Sequence, residues 1–280
     1  MAILLALSSA LVYGVADWCG GRASRFHPSA IVTLVGQVVS LVMIVVTVAI
    51  VGTPAPDAAT VGWGLAAGAA GAVGLACLYY AFANGAMTVV APISAVVGAV
   101  LPVVVGLTTG ERPEPIAYAG IALAIGSVAL VSGAIGERHR PTPRRIIGFA
   151  VAAGIGFGVL FVALDRADPD SGLWPLVAAR SSSVPLLIMI SLCMGARVGP
   201  QRRQLRLAVV AGGLDMAANV LYLQAVRGGL LSVVAVVSSL YPASTVMLAF
   251  AFDRERVNRW QAAGMATAAV ALVMVTLGRG

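Results

Sequence analysis

The chain contains no lysine: all 18 basic residues are arginine, and charged residues make up only 10% of its 280 positions. With 60% hydrophobic residues beside so little charge, one domain of this size could not stay soluble in water. Histidine is confined to His27 and His139, both in basic loops, which argues against a histidine-based catalytic or metal centre. Cys19, Cys77 and Cys193 lie far apart, in or at the ends of apolar segments, and lack metal-ligand spacing. They read as small packing residues. The only acidic cluster, Asp165, Asp168 and Asp170, includes a short Asp-Pro-Asp stretch that suits a turn. No catalytic residue, metal or cofactor is expected. A membrane enzyme acting on lipid-linked substrates is the weakest reading, because it would need such groups gathered at one interface.

What is present is apolar sequence. Runs long enough to cross a bilayer, about 20 residues each, recur almost end to end. They fall at 2–20, 29–51, 60–83, 87–108, 115–135, 146–164, 173–195, 206–226, 230–251 and 258–278. The runs are continuous rather than alternating, so they predict helices and not the strands of a membrane barrel. The first run carries Asp17 and Trp18 and has no basic leading segment, so it reads as a retained helix rather than a signal peptide. Gly64, Gly68 and Gly71 follow no strand and read as small residues for close helix packing, not as a phosphate loop.

The chain is two copies of one unit at a constant offset of 144 residues. Tyr13-Gly14-Val15 faces Phe157-Gly158-Val159, Gly85 faces Gly229, Ser94 faces Ser238, and Glu111-Arg112 faces Glu255-Arg256. The glycines and the Glu-Arg pair carry the weight, since alanines and valines match easily in so apolar a chain. Two copies with an odd number of spans must enter the bilayer in opposite orientations. The expected fold is therefore an all-α integral membrane protein of about ten transmembrane helices in two inverted five-helix repeats, residues 1–136 and 146–280. A basic loop, 137–145, joins them. This design is typical of secondary transporters.

Thirteen of the arginines fall in or beside the loops after helices 1, 5, 7 and 9, and four lie on the opposite side. By the positive-inside rule the richer side is cytoplasmic, which puts both termini outside a plasma membrane. Basic loops also suit anionic lipid headgroups, so no nucleic acid is needed to explain them.

Ionisable groups inside a membrane usually face a cavity or a partner. Asp215 lies mid-helix, with Asn219 and Tyr222 following at i+4 and i+7 on the same face and Gly212 one turn before. Its carboxylate either binds a cationic group or a proton, or pairs structurally with Arg180. Arg180, in Ala-Ala-Arg-Ser-Ser-Ser, either holds a substrate carboxylate or phosphate, or makes a structural pair. Asp17, one turn after Tyr13, is either a substrate contact or a plain helix-end carboxylate. Pro92 and Pro102 are expected to interrupt helix 4, and Pro242 to interrupt helix 9 just after Ser238, Ser239 and Tyr241. Such breaks point to a midplane site. The central cavity is expected between helices 1, 3, 4, 6, 8 and 9. Glu111 and Glu255 each follow a span beside arginines and read as solvated ion pairs or helix caps.

These motifs resemble the drug/metabolite transporter superfamily, specifically EamA-type ten-helix carriers. The stretch from Gly228-Gly229 through Ser238 and Pro242 to Glu255 and Gly264 is similar to the family's signature of helices 9 and 10. Arg180 and Tyr13-Gly14-Val15-Ala16-Asp17 match two further family features. Gly98, Gly36 and Asp17 depart from the pattern, where a proline, an arginine and often an asparagine stand. The resemblance implies movement of small metabolites, often amino acids or related compounds, frequently outward. It also implies termini in the cytoplasm, against the arginine distribution. The expected mechanism is alternating access with proton antiport, one carboxylate binding either proton or solute. A non-transporting membrane subunit is the rival, and intramembrane Asp215 and Arg180 count against it.

Overall fold

The computed structural model describes residues 1–53, 55–131, 143–199, 201–253 and 259–277. Among them, eight spans are long and apolar enough to cross a membrane. They are α1 (Ala2–Ala23), α2 (Ser29–Val51), α3 (Ala58–Asn84), α4 (Met87–Thr108), α6 (Arg144–Asp165), α7 (Trp174–Cys193), α8 (Leu205–Arg227) and Leu231–Asp253. Two further helices, α5 (Pro115–Val131) and α11 (Arg259–Leu277), pack along each other. The last span is two helices, α9 (Leu231–Ser238) and α10 (Pro242–Asp253). No strand occurs among the described residues. In lipid each backbone group must be satisfied within its own segment, so long apolar runs become helices.

Large apolar side chains point outward. Val42, Val46 and Ile50 on α2 and Met189 and Leu192 on α7 are all more than half exposed. Such a surface suits a lipid environment. Inside, the two halves interlock. α1 packs most extensively on α8, and α3 on α6; exchanging the halves turns one contact into the other. The pairs α2 with α8 and α7 with α3 are related in the same way.

Glycine sets how close these helices come. A methyl on Gly212 of α8 would overlap the backbone of Gly36 on α2, and one on Gly68 of α3 would overlap the carbonyl of Ala179 on α7. These are the repeat-related contacts. The room that Gly212 leaves is therefore filled by another backbone. Ser40 Oγ reinforces it, donating to the Gly212 carbonyl at 2.7 Å.

The prolines behave differently from expectation in α4. Pro92 and Pro102 sit inside a helix that runs unbroken from Met87 to Thr108. Each proline removes one donor, and a membrane helix tolerates that when neighbours accommodate the freed carbonyl. The carbonyl freed by Pro102, that of Gly98, faces Gly158 of α6, where a Cβ would lie only 3.1 Å away. Pro242 does mark a break: α9 ends at Ser238 and α10 begins on Pro242, where a missing N–H costs nothing.

Charged groups cluster at the two ends of the bundle. At one end Asp253 accepts from Trp18 Nε1 at 2.7 Å and from Arg22 at 2.6 Å, with Arg25 at 3.4 Å. His27 Nδ1 accepts from Gly199 N at 3.0 Å, tying the loop after α1 to the loop after α7. At the other end Asp168 caps a 3-10 turn, Pro169–Ser171, as the Asp-Pro-Asp reading expected. Asp57 caps α3 there, and hydrogen bonds from the Thr60 hydroxyl and N–H hold its carboxyl below the usual range. Glu111 proves to be a cap for a different helix: its carboxylate accepts from Leu231 N at 2.5 Å and Ser232 N at 3.0 Å, the first turn of α9. Glu255, Arg254, Arg256, Arg138 and His139 lie outside the described residues.

Candidate functional site

Near the middle of the bundle lies a narrow cleft of about 30 Å³. Tyr13 and Asp17 of α1, Gln37 of α2, Gly71 and Leu75 of α3, and Phe157, Leu160 and Phe161 of α6 line it. Arg180 of α7, Asp215 and Asn219 of α8, and Tyr241 at the break in the ninth span complete the wall. The cavity therefore takes Gln37 from α2, a helix not expected to contribute, and Arg180, the candidate on α7, brings that helix into the wall as well. No α4 residue lines it: α4 packs behind α6, and its Ser94 Oγ lies 2.6 Å from the hydroxyl of cleft-lining Tyr241.

Asp215 and Arg180 form a buried ion pair, Arg180 Nη2 donating to Asp215 Oδ2 at 2.8 Å. Arg180 is 2% exposed and Asp215 8%. One turn on, Asn219 Nδ2 donates to the Asp215 carbonyl at 2.8 Å, leaving its Oδ1 without a partner. The Nε of Arg180 and the hydroxyl of Tyr13 are also unpartnered. Asp17 lies on the same wall, only 5% exposed, and no described group makes a hydrogen bond or ion pair with its carboxylate. Buried polar groups are nearly always paired, so this set of open donors and acceptors around one cleft makes it the candidate site.

Two expected residues stand elsewhere. Tyr222 shares the Asp215 face but is fully buried, stacked on Phe161 at 4.3 Å and donating to the Phe161 carbonyl at 3.3 Å. It holds one cleft-lining ring in place. Ser238 is buried at the end of α9, outside the cleft, with its hydroxyl unpartnered. From sequence, Gln37 stands out only as a side chain able to add a hydrogen bond, Gly71 as a packing glycine and Phe157 as a repeat match, while Leu75, Leu160 and Phe161 carry no mark of their own. A signal for four of them was present: at the repeat offset, Tyr13 corresponds to Phe157, Asp17 to Phe161, Asp215 to Gly71 and Asn219 to Leu75. Both members of each pair line the cleft. The polar members sit on the packed pair α1 and α8, the apolar members on α6 and α3.

An all-helical bundle of interlocked repeats around a central cleft is an architecture that membrane carriers use. The sequence matches the EamA-like transporter family over residues 1–133 and again over 144–277. The chain belongs to that family and hence to the drug/metabolite transporter superfamily, whose EamA members are transporters, not enzymes. A protein of known crystal structure superposes with a TM-score of 0.73, covering 99% of this chain and 96% of its own at 18% identity, which shows the shared fold. No curated protein matches the chain.

Proposed function

We propose that the protein is a secondary transporter that exports small amphiphilic metabolites, amino-acid-like in size and polarity, by alternating access. Its moving units are the two five-helix repeats, residues 1–136 and 146–280, which rock about the cleft with a proton as the coupling ion. The observation that carries this reading is the two-faced wall. Repeat symmetry places Tyr13, Asp17, Asp215 and Asn219 opposite Phe157, Phe161, Gly71 and Leu75. A solute with a charged head and an apolar body matches both faces at once. A purely structural core would need neither the unpartnered donors nor the buried acids.

With the arginine-rich loops in the cytoplasm of a plasma membrane, both termini lie outside. In this form the cleft is too narrow for such a solute, so the repeats must part for the solute to enter.

The test compares solutes released by cells expressing the wild type with those released by cells expressing Asp215→Asn at equal membrane abundance. The variant leaves Arg180 without its partner. A class of small amphiphiles released only by the wild type supports the reading. Identical release and identical uptake profiles would sink it.

A further inference from the structure

The charges around the cleft do not sum to zero. Arg180 and Asp215 neutralise one another, and Asp17 adds a second carboxylate. Among the described residues, none of the titratable or charged groups near Asp17 is an uncommitted cation. α8 brings Asp215, already paired; α3 brings Tyr79; Tyr241 comes from the break between α9 and α10; and Tyr13 lies one turn back on α1 itself. α2 contributes only Gln37, and Arg180 of α7 is committed to Asp215. The arginine that follows on the same helix, Arg22, is held at the bundle end by Asp253. Leaving a carboxylate unpaired in a membrane interior is costly, and such a site is completed by a cation.

We propose that Asp17, rather than Asp215, is the residue on which the cleft carries its exchangeable positive charge. This rests on the reading of the cleft as the transport site. Asp215 acts as a positioning residue, holding the Arg180 guanidinium, whose Nε–H is unpartnered, in the cleft wall. The charge on Asp17 comes from a proton or from the ammonium group of a solute. In the first case the carboxylate becomes a carboxylic acid. In the second, the arriving ammonium pairs with the carboxylate and the acid's proton leaves to water. The two cannot be held together, which is the elementary requirement of antiport. The open acceptor on Asn219 and the open donors on Arg180 and Tyr13 then bind the polar remainder of the solute, with its apolar body on Phe157 and Phe161.

The experiment is infrared difference spectroscopy of the full-length protein in lipid, following the carbonyl band of protonated carboxyl groups as pH is lowered through neutrality. The wild type shows a band that Asp17→Asn removes completely. Replacing the ion pair by a neutral pair, Arg180→Gln with Asp215→Asn, keeps the net charge of the cleft and leaves the band at full amplitude. Asp17→Glu moves the band without abolishing it, which separates loss of the group from loss of the fold. Adding 2-phenylethylammonium then distinguishes the sources: the band disappears if an organic ammonium shares Asp17, and persists if the residue takes protons alone. The assignment is overturned if Asp17→Asn removes no band, or if the neutral pair does. The readout needs no transport, so it can fail while the flux comparison succeeds, and the reverse.

Discussion

Glu111 ties the end of α4 to the start of α9 through two hydrogen bonds, and removing it should cost a measurable share of the stability. α9 has only eight residues, and three N–H groups in its first turn precede the first intrahelical bond, from Val234 N to Leu230 O. Glu111 takes two of those three. Losing an N-terminal cap costs about 0.5–2 kcal/mol, and losing a negative charge at a helix N-terminus about 0.3–1 kcal/mol more. Glu111→Ala should therefore cost roughly 1–3 kcal/mol. Glu111→Gln, which keeps one acceptor oxygen and loses the charge, should fall in the lower half of that range. At about 2–4 °C per kcal/mol for a large domain, the alanine variant should unfold roughly 2–12 °C lower in a detergent thermal scan. A second perturbation reaches the same bond without changing charge: a methyl on Gly106 would overlap the Glu111 carboxylate. Gly106→Ala should displace it and destabilise comparably. The double variant should cost no more than the worse single one, because both break the same contact. Additive losses, or a Glu111→Ala midpoint within about 1 °C of the wild type, would refute the capping argument.

Two further outcomes are expected. Gly212→Ala should force α2 and α8 apart, costing about 1–3 kcal/mol and depressing flux, whereas Gly213→Ala meets only Met43 Sδ at 3.5 Å and should behave as wild type. Equal thermal midpoints for the two variants would contradict the close approach. At Asp57 the hydrogen bonds from Thr60 lower the folded carboxyl's proton affinity. Its contribution is therefore complete above the unfolded carboxylate pKa of about 3.9 and is lost as pH falls through the lower folded value. Hydrogen-exchange protection of the Thr60 amide should drop in that acidic window, and an unchanged protection factor there would rule the cap out.

The repeat explains why the site has two chemistries. A duplicated bundle places equivalent positions on both sides of its pseudo-twofold axis, so a cleft on that axis is lined twice by the same positions. Divergence then acts on each copy separately. Here one copy of each pair became polar and the other apolar, and each set stays together because α1 packs on α8 and α3 on α6. The contacts between halves, rather than either half alone, make a continuous polar wall facing a continuous apolar one.

Helical class, membrane environment and duplication were determined by the sequence alone. Runs of apolar residues longer than a bilayer is thick admit one backbone solution in lipid, and a gapless offset across glycines and a Glu-Arg pair does not arise from composition. The candidate charges were legible too, because an aspartate or arginine inside such a run is costly wherever the chain goes. Their partners were not. Whether Asp215 meets Arg180 or a solute depends on which faces α7 and α8 turn toward each other, and glycine contacts tens to hundreds of residues apart in sequence set that. Tyr222 and Asn219 share a helical face, yet only Asn219 reaches the cleft, because Phe161 covers the ring one turn on. The same holds for the prolines: all three lack an N–H, but only the surroundings decide whether a helix runs on past the loss, as α4 does, or ends, as α9 does before Pro242. Asp17 shows the difference most clearly. Sequence marked it as a carboxylate near a helix end, and only the packed bundle placed it on a buried wall with every nearby cation among the described residues already engaged.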